Sequence, residues 1–363
     1  MVLNVYILSV MLLTFTNGFI HIYYAVRIRK KFPEESNSLN SMVISSLWFL
    51  AGILYPFFFP INDQFRRFYQ ILGAQIICVY SYLVVAFLIS IQYIFRIWRH
   101  PKVKEERTIE NFIKKFNVRN EKKKLDSNKK SHSFSTDINR KLFHLIPPGV
   151  IIILWEFAIL FWANIFHQDV IWGITAEEYG VWLIITIGYT AIMVFGALDY
   201  IRLSFIFENR NVYYLMPKNL SGLFLKTLKR DEVYNISATA ALVLSFVPIF
   251  FFPISVFAAA ALIASLGDGA ASLFGIKFGK HNFPKKSKKT VIGYIAGFLA
   301  SFFTAFIVFL IFELKMPILK NIIISLSGAL VFFIVDVLNL RINDNILNPI
   351  FSGLLMGSLY FIL

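Results

Sequence analysis

The chain has 363 residues, 57% of them hydrophobic and 17% aromatic, with a mean hydropathy of +0.66 and a formal net charge of +15. Soluble domains are about 45–50% apolar, and apolar runs of about 18 or more residues, enough to cross a hydrocarbon core of about 30 Å, recur along the whole length. A string of soluble domains is therefore excluded. A nucleic-acid partner is not expected either, because the cations lie between apolar runs, where they set topology and meet anionic lipid head groups or nucleotide phosphates. The single cysteine, Cys78, rules out a disulfide framework.

The expected fold class is all-α, a polytopic membrane helix bundle of about ten transmembrane helices. The first apolar run, 3–26, reads as a retained span, because its cations, Arg27 to Lys31, follow it instead of preceding it. Spans at 41–61 and 70–95 complete an N-terminal transmembrane region, 1–98. Residues 99–138 read as a basic cytoplasmic linker with a short helix near Ile109 to Phe116 and with anionic lipid as its expected contact. The third region, 139–363, is expected to hold spans at 145–166, 180–201, 235–252, 254–275, 291–313, 318–340 and 346–363. Pro248 and Pro253 interrupt the sixth and seventh spans, which also read as one long or broken helix.

The connections alternate in charge. Arg27 to Lys31, the stretch from Arg96 to Lys141, the segment from Arg202 to Arg230, Lys277 to Lys289 and Arg341 fall on one side. "FHQDVIWGITAEEYG" and "ELKMP" fall on the other, with Arg66 and Arg67 as the exception. The positive-inside rule then places the basic connections in the cytoplasm and both termini outside. The membrane is expected to be the cell membrane or the endoplasmic reticulum.

Polar residues at membrane depth are costly and therefore candidates for function. Six segments bring them to the same expected face. "NRKLFHLIPPG" carries Arg140, Lys141 and His144 into the fourth span. "GALDYIRLSF" ends the fifth with Asp199 and Arg202, an i, i+3 pair close enough to bond. "LKTLKRDEVYN" offers Lys226, Asp231 and Glu232. "SLGDGAAS" closes the seventh span around Asp268, and "KKSKKT" opens the eighth with Lys288, Lys289 and Thr290. "FIVDVLNLRINDNILNP" joins the last two with Asp336, Asn339, Asn343, Asp344 and Asn345.

In the fourth of these and the residues just after it, Gly267, Gly269, Gly275 and Gly279 are the residues that leave backbone N–H groups approachable by phosphate. The lysines supply point charges for phosphate oxygens. Asp268 is a hard oxygen ligand for Mg²⁺, which binds through one or two carboxylates and substrate phosphates. Thr290 stands where the next helix begins, so its hydroxyl or that helix terminus can meet a phosphate. The same residues have plainer uses. Small residues let membrane helices pack closely, lysines set topology, and Asp199 with Arg202 is as readily a structural ion pair.

The order of these motifs resembles the membrane kinases of lipid alcohols: dolichol kinase, phytol kinase and the CTP-dependent diacylglycerol kinase. The likeness runs from about Asn139 to Leu363 and rests on "RKLFHLIPPG", "LDYIRLSF", "KRDE", "SLGDGAASLFGIKFGK", "KKTVIGYIAGF" and "NDNILNPIFSGL". It implies transfer of the terminal phosphate of CTP or ATP to the hydroxyl of a dolichol, another polyprenol, phytol or geranylgeraniol, with Mg²⁺ or another divalent cation. It further implies Asp268, Asp336 and Asp344 as metal ligands. Gly267, Gly269, Gly275, Gly279, Lys288, Thr290, Arg140, Lys141 and Arg202 would bind nucleotide or phosphate. Lys289 and His144 would join Asp268 and Asp344 in catalysis, and Asp199, Asp231, Glu232 and Asn345 would shape the pocket. Two positions depart from the family pattern: Ile292 stands where a glutamate is usual, and Asp336 where a glutamate is common. A phosphatidate cytidylyltransferase also shares "FGKH" and "KKT", but its C-terminal motifs are missing here. A transporter would carry its acids in mid-span instead of at span ends.

Overall fold

The computed structural model describes residues 4–33, 37–58, 64–99, 144–208, 238–284, 289–338 and 340–363, together with residues 102, 111, 114, 138, 141 and 142. The expected helix near 109–116 lies largely outside the described residues. The described chain is helical, its one β feature an isolated bridge between Asn282 and Thr290. Nine described helices are long and apolar enough to cross a membrane: α1 (Val5–Lys31), α2 (Ser38–Phe58), α3 (Arg67–Phe87), α4 (Ile146–Ile165), α5 (Ala176–Ser204), α6 (Ile254–Phe278), α7 (Val291–Phe312), α8 (Ile318–Leu338) and α9 (Asp344–Ile362). The protein is a multi-pass helical bundle. Local chemistry fixes several starts: Asn4 accepts from Ile7 N–H at α1, Asn37 from Asn40 N–H at α2, Thr290 from Gly293 N–H at α7 and Asn343 from Asn345 N–H at α9. Arg29, Lys30 and Lys31 sit in the last turn of α1, where the helix dipole favours cations.

The chain forms two compact units: Met1–Lys129 with Ile185–Ala240, and Lys130–Ile184 with Ala241–Leu363. The grouping does not follow chain order, since most of α5 packs with the N-terminal spans. In the first unit, small residues bring α1 and α2 together: a Cβ on Gly52 would come within 2.5 Å of Phe15 and Thr14. Polar side chains then tie α5 to them. Tyr189 donates to Ala51 O at 2.7 Å and Tyr200 to Asn17 O at 2.8 Å. Lipid is as apolar as a leucine core, so such close packing and hydrogen bonding hold membrane helices together.

In the second unit the core is built around α6, whose Ala258, Ala259, Ala260 and Ala261 are all buried. Phe257, Phe309, Phe332 and Met356 close around them. The far end of the unit is fixed by Ser255 Oγ donating to Glu313 at 2.7 Å and by Lys320 over the Tyr360 ring at 5.0 Å.

Of the expected span at 235–252, residues 235–237 lie outside the described residues, and the described part holds a ten-residue apolar helix, Ala240–Ile249. Pro248 sits within a 3₁₀ turn, Val247–Ile249, and Pro253 precedes α6, so the two prolines break the helical ladder as proline chemistry requires. The segment nevertheless runs alongside α9. Ser245 Oγ donates to Asn345 O at 3.2 Å near one end of α9, and the Phe252 ring lies 6.4 Å from that of Phe361 at the other. The chain thus passes between the two ends of the second unit, and α6 begins at the end remote from Asp268.

Candidate site at one end of the second unit

Five elements of the second unit meet around this site: the starts of α4, α7 and α9, the end of α8, and α6 at Asp268, ten residues before its own end at Phe278. Ser265 Oγ donates to His144 O at 2.7 Å and locks the chain entering α4 onto α6. A π-helical turn, Ile263–Gly267, immediately precedes Asp268. Such turns are common at functional positions.

The glycines expected to cradle phosphate do something else. Residues 268–278 form a helix and not a loop, and Gly279 N–H donates to Gly275 O at 3.0 Å. Gly267, Ala271, Gly275 and Gly279 recur every fourth residue, so they form one ridge on α6. Gly293, Gly297 and Ser301 form the matching ridge on α7. A Cβ on Gly267 would come within 2.3 Å of Ser301 Oγ, and one on Gly279 within 2.5 Å of Thr290. These two glycines, with Gly275, are the α6–α7 contact. Gly269 is off the ridge: a Cβ there would meet nothing closer than Lys141 Cβ at 3.9 Å. Of the four, it alone leaves room beside Asp268.

Two ion pairs occupy the end itself. Lys141 Nζ bonds Asp268 Oδ2, with side chains 8% and 17% exposed. Lys289 Nζ bonds Asp336 Oδ1, with side chains 33% and 5% exposed, and lies 3.4 Å from Asp336 O. Burial works to lower the pKa of the Lys289 ammonium. The charge of Asp336 and its hydrogen bond, then the charges of Asp344 and Asp268, outweigh burial and raise it above the ordinary lysine value. The three carboxylates therefore act on one ammonium. Asp344 sits in the first turn of α9, and its Oδ1 accepts from Asn345 N–H at 3.0 Å. Asn345 Nδ2 donates to Asn343 Oδ1 at 2.9 Å, whereas its own Oδ1 is buried with no hydrogen-bond partner among the described residues.

The other expected positions divide clearly. Thr290 is largely committed to structure, because its Oγ1 caps Gly293 N–H at 3.2 Å. Asp199 and Arg202 lie in the first unit, where they pair with each other at 3.2 Å and are 1% and 2% exposed. Arg140, Lys288, Asp231, Glu232 and Asn339 lie outside the described residues. Ile292 is 39% exposed on α7. Sequence reasoning did not single out Ser265, Ser301, Gly293, Gly297 or Phe332 as parts of this end. The signal for the α6–α7 seam was present as small residues four apart in both helices.

For a divalent cation, the described residues gather no group of three histidine, cysteine, aspartate or glutamate side chains that would hold an ion alone. Mg²⁺ needs less, since it keeps waters and shares substrate phosphates through one or two carboxylates. Asp268 and Asp336, each paired with a lysine here, are carboxylates of the kind that mode uses. Compared with known proteins, the chain matches no family model, no curated protein and no solved structure.

Proposed function

We propose that the protein is an integral-membrane kinase that transfers the terminal phosphate of CTP or ATP to the hydroxyl of a lipid alcohol such as dolichol, another polyprenol, phytol or geranylgeraniol. One observation carries this reading. Asp336 pairs with Lys289 and Asp268 with Lys141 at one end of a membrane bundle, and the charges of Asp344 and Asp268 also act on Lys289. Acids paired with lysines at a bundle end suit an anionic, metal-bound ligand that arrives from water and meets a lipid hydroxyl at the bilayer edge.

In this reading Lys141 and Lys289 turn to the phosphate oxygens as point charges. Asp268, with Asp336 or Asp344, would hold Mg²⁺, which when bound would neutralise charge on the phosphates. Asn345 Oδ1 accepts a hydrogen bond from the lipid hydroxyl or from a water held there. Phosphoryl transfer depends on positioning and charge stabilisation, so no separate strong base is required. The site end faces the cytoplasm of a cell membrane or the endoplasmic reticulum, and the basic linker rests on anionic head groups.

A ligand-dependent stability measurement tests this reading. CTP or ATP with Mg²⁺ is expected to raise the melting temperature of the purified protein. Saturation at about 100 times Kd contributes about 2.7 kcal/mol. No shift with either nucleotide, at millimolar concentration and with Mg²⁺ present, would count against it.

A further inference from the structure

The first turns of α9 hold a second unpaired amide beside that of Asn345. Asn345 is 3% exposed and Asn348 2% exposed. The Oδ1 of each is buried without a hydrogen-bond partner among the described residues. Three positions apart, the two side chains are neighbours on one face of the helix. Asp344, just before them, is partly exposed, whereas residues 345–349 are buried. The two amides therefore carry polar chemistry from the edge of the site into the bundle.

The kind of partner they call for can be specified. Asn345 Nδ2 donates to Asn343 Oδ1 at 2.9 Å, which leaves its oxygen as the unpaired end. The hydroxyls bonded to this stretch are already committed to carbonyls. Ser352 Oγ donates to Asn348 O. Ser245 Oγ has Leu242 O at 2.6 Å and Asn345 O at 3.2 Å for its single hydrogen. Asn345 O needs that donor, because Pro349, four residues on, has no N–H to give it. Two buried oxygens are left with acceptor capacity and no donor. Native interiors rarely keep such groups unpaired, because each costs the desolvation of an acceptor. What suits them is a neutral group with a hydrogen to donate. An anion, which only accepts, is repelled by both.

We infer that Asn345 and Asn348 form an acceptor-only subsite for a neutral hydroxyl, which distinguishes an unphosphorylated lipid alcohol from its phosphorylated product. The inference rests on the proposed kinase reading and adds Asn348 and a reason for product release. The alcohol donates its hydrogen to one amide oxygen, and a water serves the other. In transfer, the hydroxyl oxygen bonds to the terminal phosphorus of the nucleotide as the bond to the nucleoside diphosphate breaks. The hydroxyl proton leaves to water or phosphate. The product then has no hydrogen to donate from that oxygen and carries negatively charged acceptors instead. The two amide oxygens that held the substrate disfavour the product.

The test uses the full chain in detergent, with dolichol, phytol and geranylgeraniol as probes, each beside its methyl ether and its monophosphate. Thermal unfolding reads binding without turnover. At least one alcohol is expected to raise the melting temperature and to bind on the order of tenfold more tightly than its ether, which has no hydrogen to donate. Asn348→Leu, similar in volume, removes the unpaired oxygen. It is expected to melt about 2 °C or more above the native chain. It is also expected to bind the alcohol on the order of tenfold more weakly and the monophosphate no more weakly. Asn348→Ser, which keeps a smaller acceptor, is expected to fall between in alcohol affinity and decides the matter if the leucine variant does not fold. A leucine variant that melts below the native chain would show the amide to be satisfied already, and the subsite would fall. Equal binding of alcohol and ether, or equal loss of alcohol and monophosphate affinity, would overturn it too. If CTP or ATP with Mg²⁺ still raised the melting temperature in those cases, the kinase reading would survive. If neither nucleotide did so while alcohol and ether still differed, the hydroxyl subsite would stand and the kinase reading would fall.

Discussion

Thr290 fills the space that a side chain on Gly279 would need: a Cβ there would lie 2.5 Å from Thr290 Cγ2 and Oγ1 and 2.3 Å from Gly275 O. The glycine-rich run after Asp268 is thereby a helix seam. Neither Thr290 nor the backbone at Gly275 can yield cheaply, because one caps α7 and the other closes a helix. Gly279→Ala is therefore expected to cost about 1–3 kcal/mol, as overpacking does. Gly269→Ala, whose Cβ would make only an ordinary contact with Lys141 Cβ at 3.9 Å, is expected to leave melting unchanged within about 0.5 kcal/mol. Equal melting temperatures for the two variants would remove the seam assignment.

Thr290 also contributes a cap. Its Oγ1 accepts from Gly293 N–H at 3.2 Å, and removing such an acceptor costs about 1 kcal/mol. Thr290→Ala is expected to lower stability by that amount and Thr290→Ser by much less, as read by thermal unfolding in detergent. If serine is as damaging as alanine, the methyl contact with α6 outweighs the cap.

Asp199 and Arg202 give a sharper contrast. The pair is almost fully buried at 3.2 Å inside the first unit. Arg202→Met alone leaves a buried carboxylate, which costs about 3–5 kcal/mol. Pairing it with Asp199→Leu removes that carboxylate as well, so the double variant is expected to melt above the single one. A double variant that falls by the sum of both single losses would show that the two residues act independently.

Asp268→Asn tests the site without much change of shape. Asparagine can still accept from Lys141, so helix content is expected to stay native. Loss of the charge is expected to lower phosphoryl transfer by on the order of a hundredfold or more, the scale of removing one group that stabilises developing charge. Native turnover in this variant would remove Asp268 from the proposed metal site.

Much of the fold was legible in the sequence because membrane crossing demands length and apolarity, and the runs show both. Asn4, Asn37 and Asn343 are ordinary caps that a reader of the sequence can place. Nine crossing helices lie among the described residues, in keeping with the expected bundle of about ten, and Pro248 inside the sixth expected run sits in a 3₁₀ turn. The division of α5 between two units was not legible, since the helix is apolar on all sides and no stretch announces a change of neighbour. At the site, the residue types were visible but not their pairings. Lys141 meets Asp268 across 127 positions and Lys289 meets Asp336 across 47, and no local pattern encodes such partners. The glycine run reads both for backbone freedom and for close helix packing, and the spacing of four at Gly267, Gly275 and Gly279 belongs to the second use.

The central claim is tested most directly by the reaction itself. Purified full-length protein in detergent is supplied with Mg²⁺, terminally labelled CTP or ATP, and separately dolichol, a shorter polyprenol, phytol, geranylgeraniol and diacylglycerol. The expected result is a labelled lipid monophosphate from at least one alcohol, absent with Asp268→Asn. No labelled lipid from any combination, together with a CDP-lipid formed from phosphatidate and CTP, would contradict the kinase reading and point to a cytidylyltransferase.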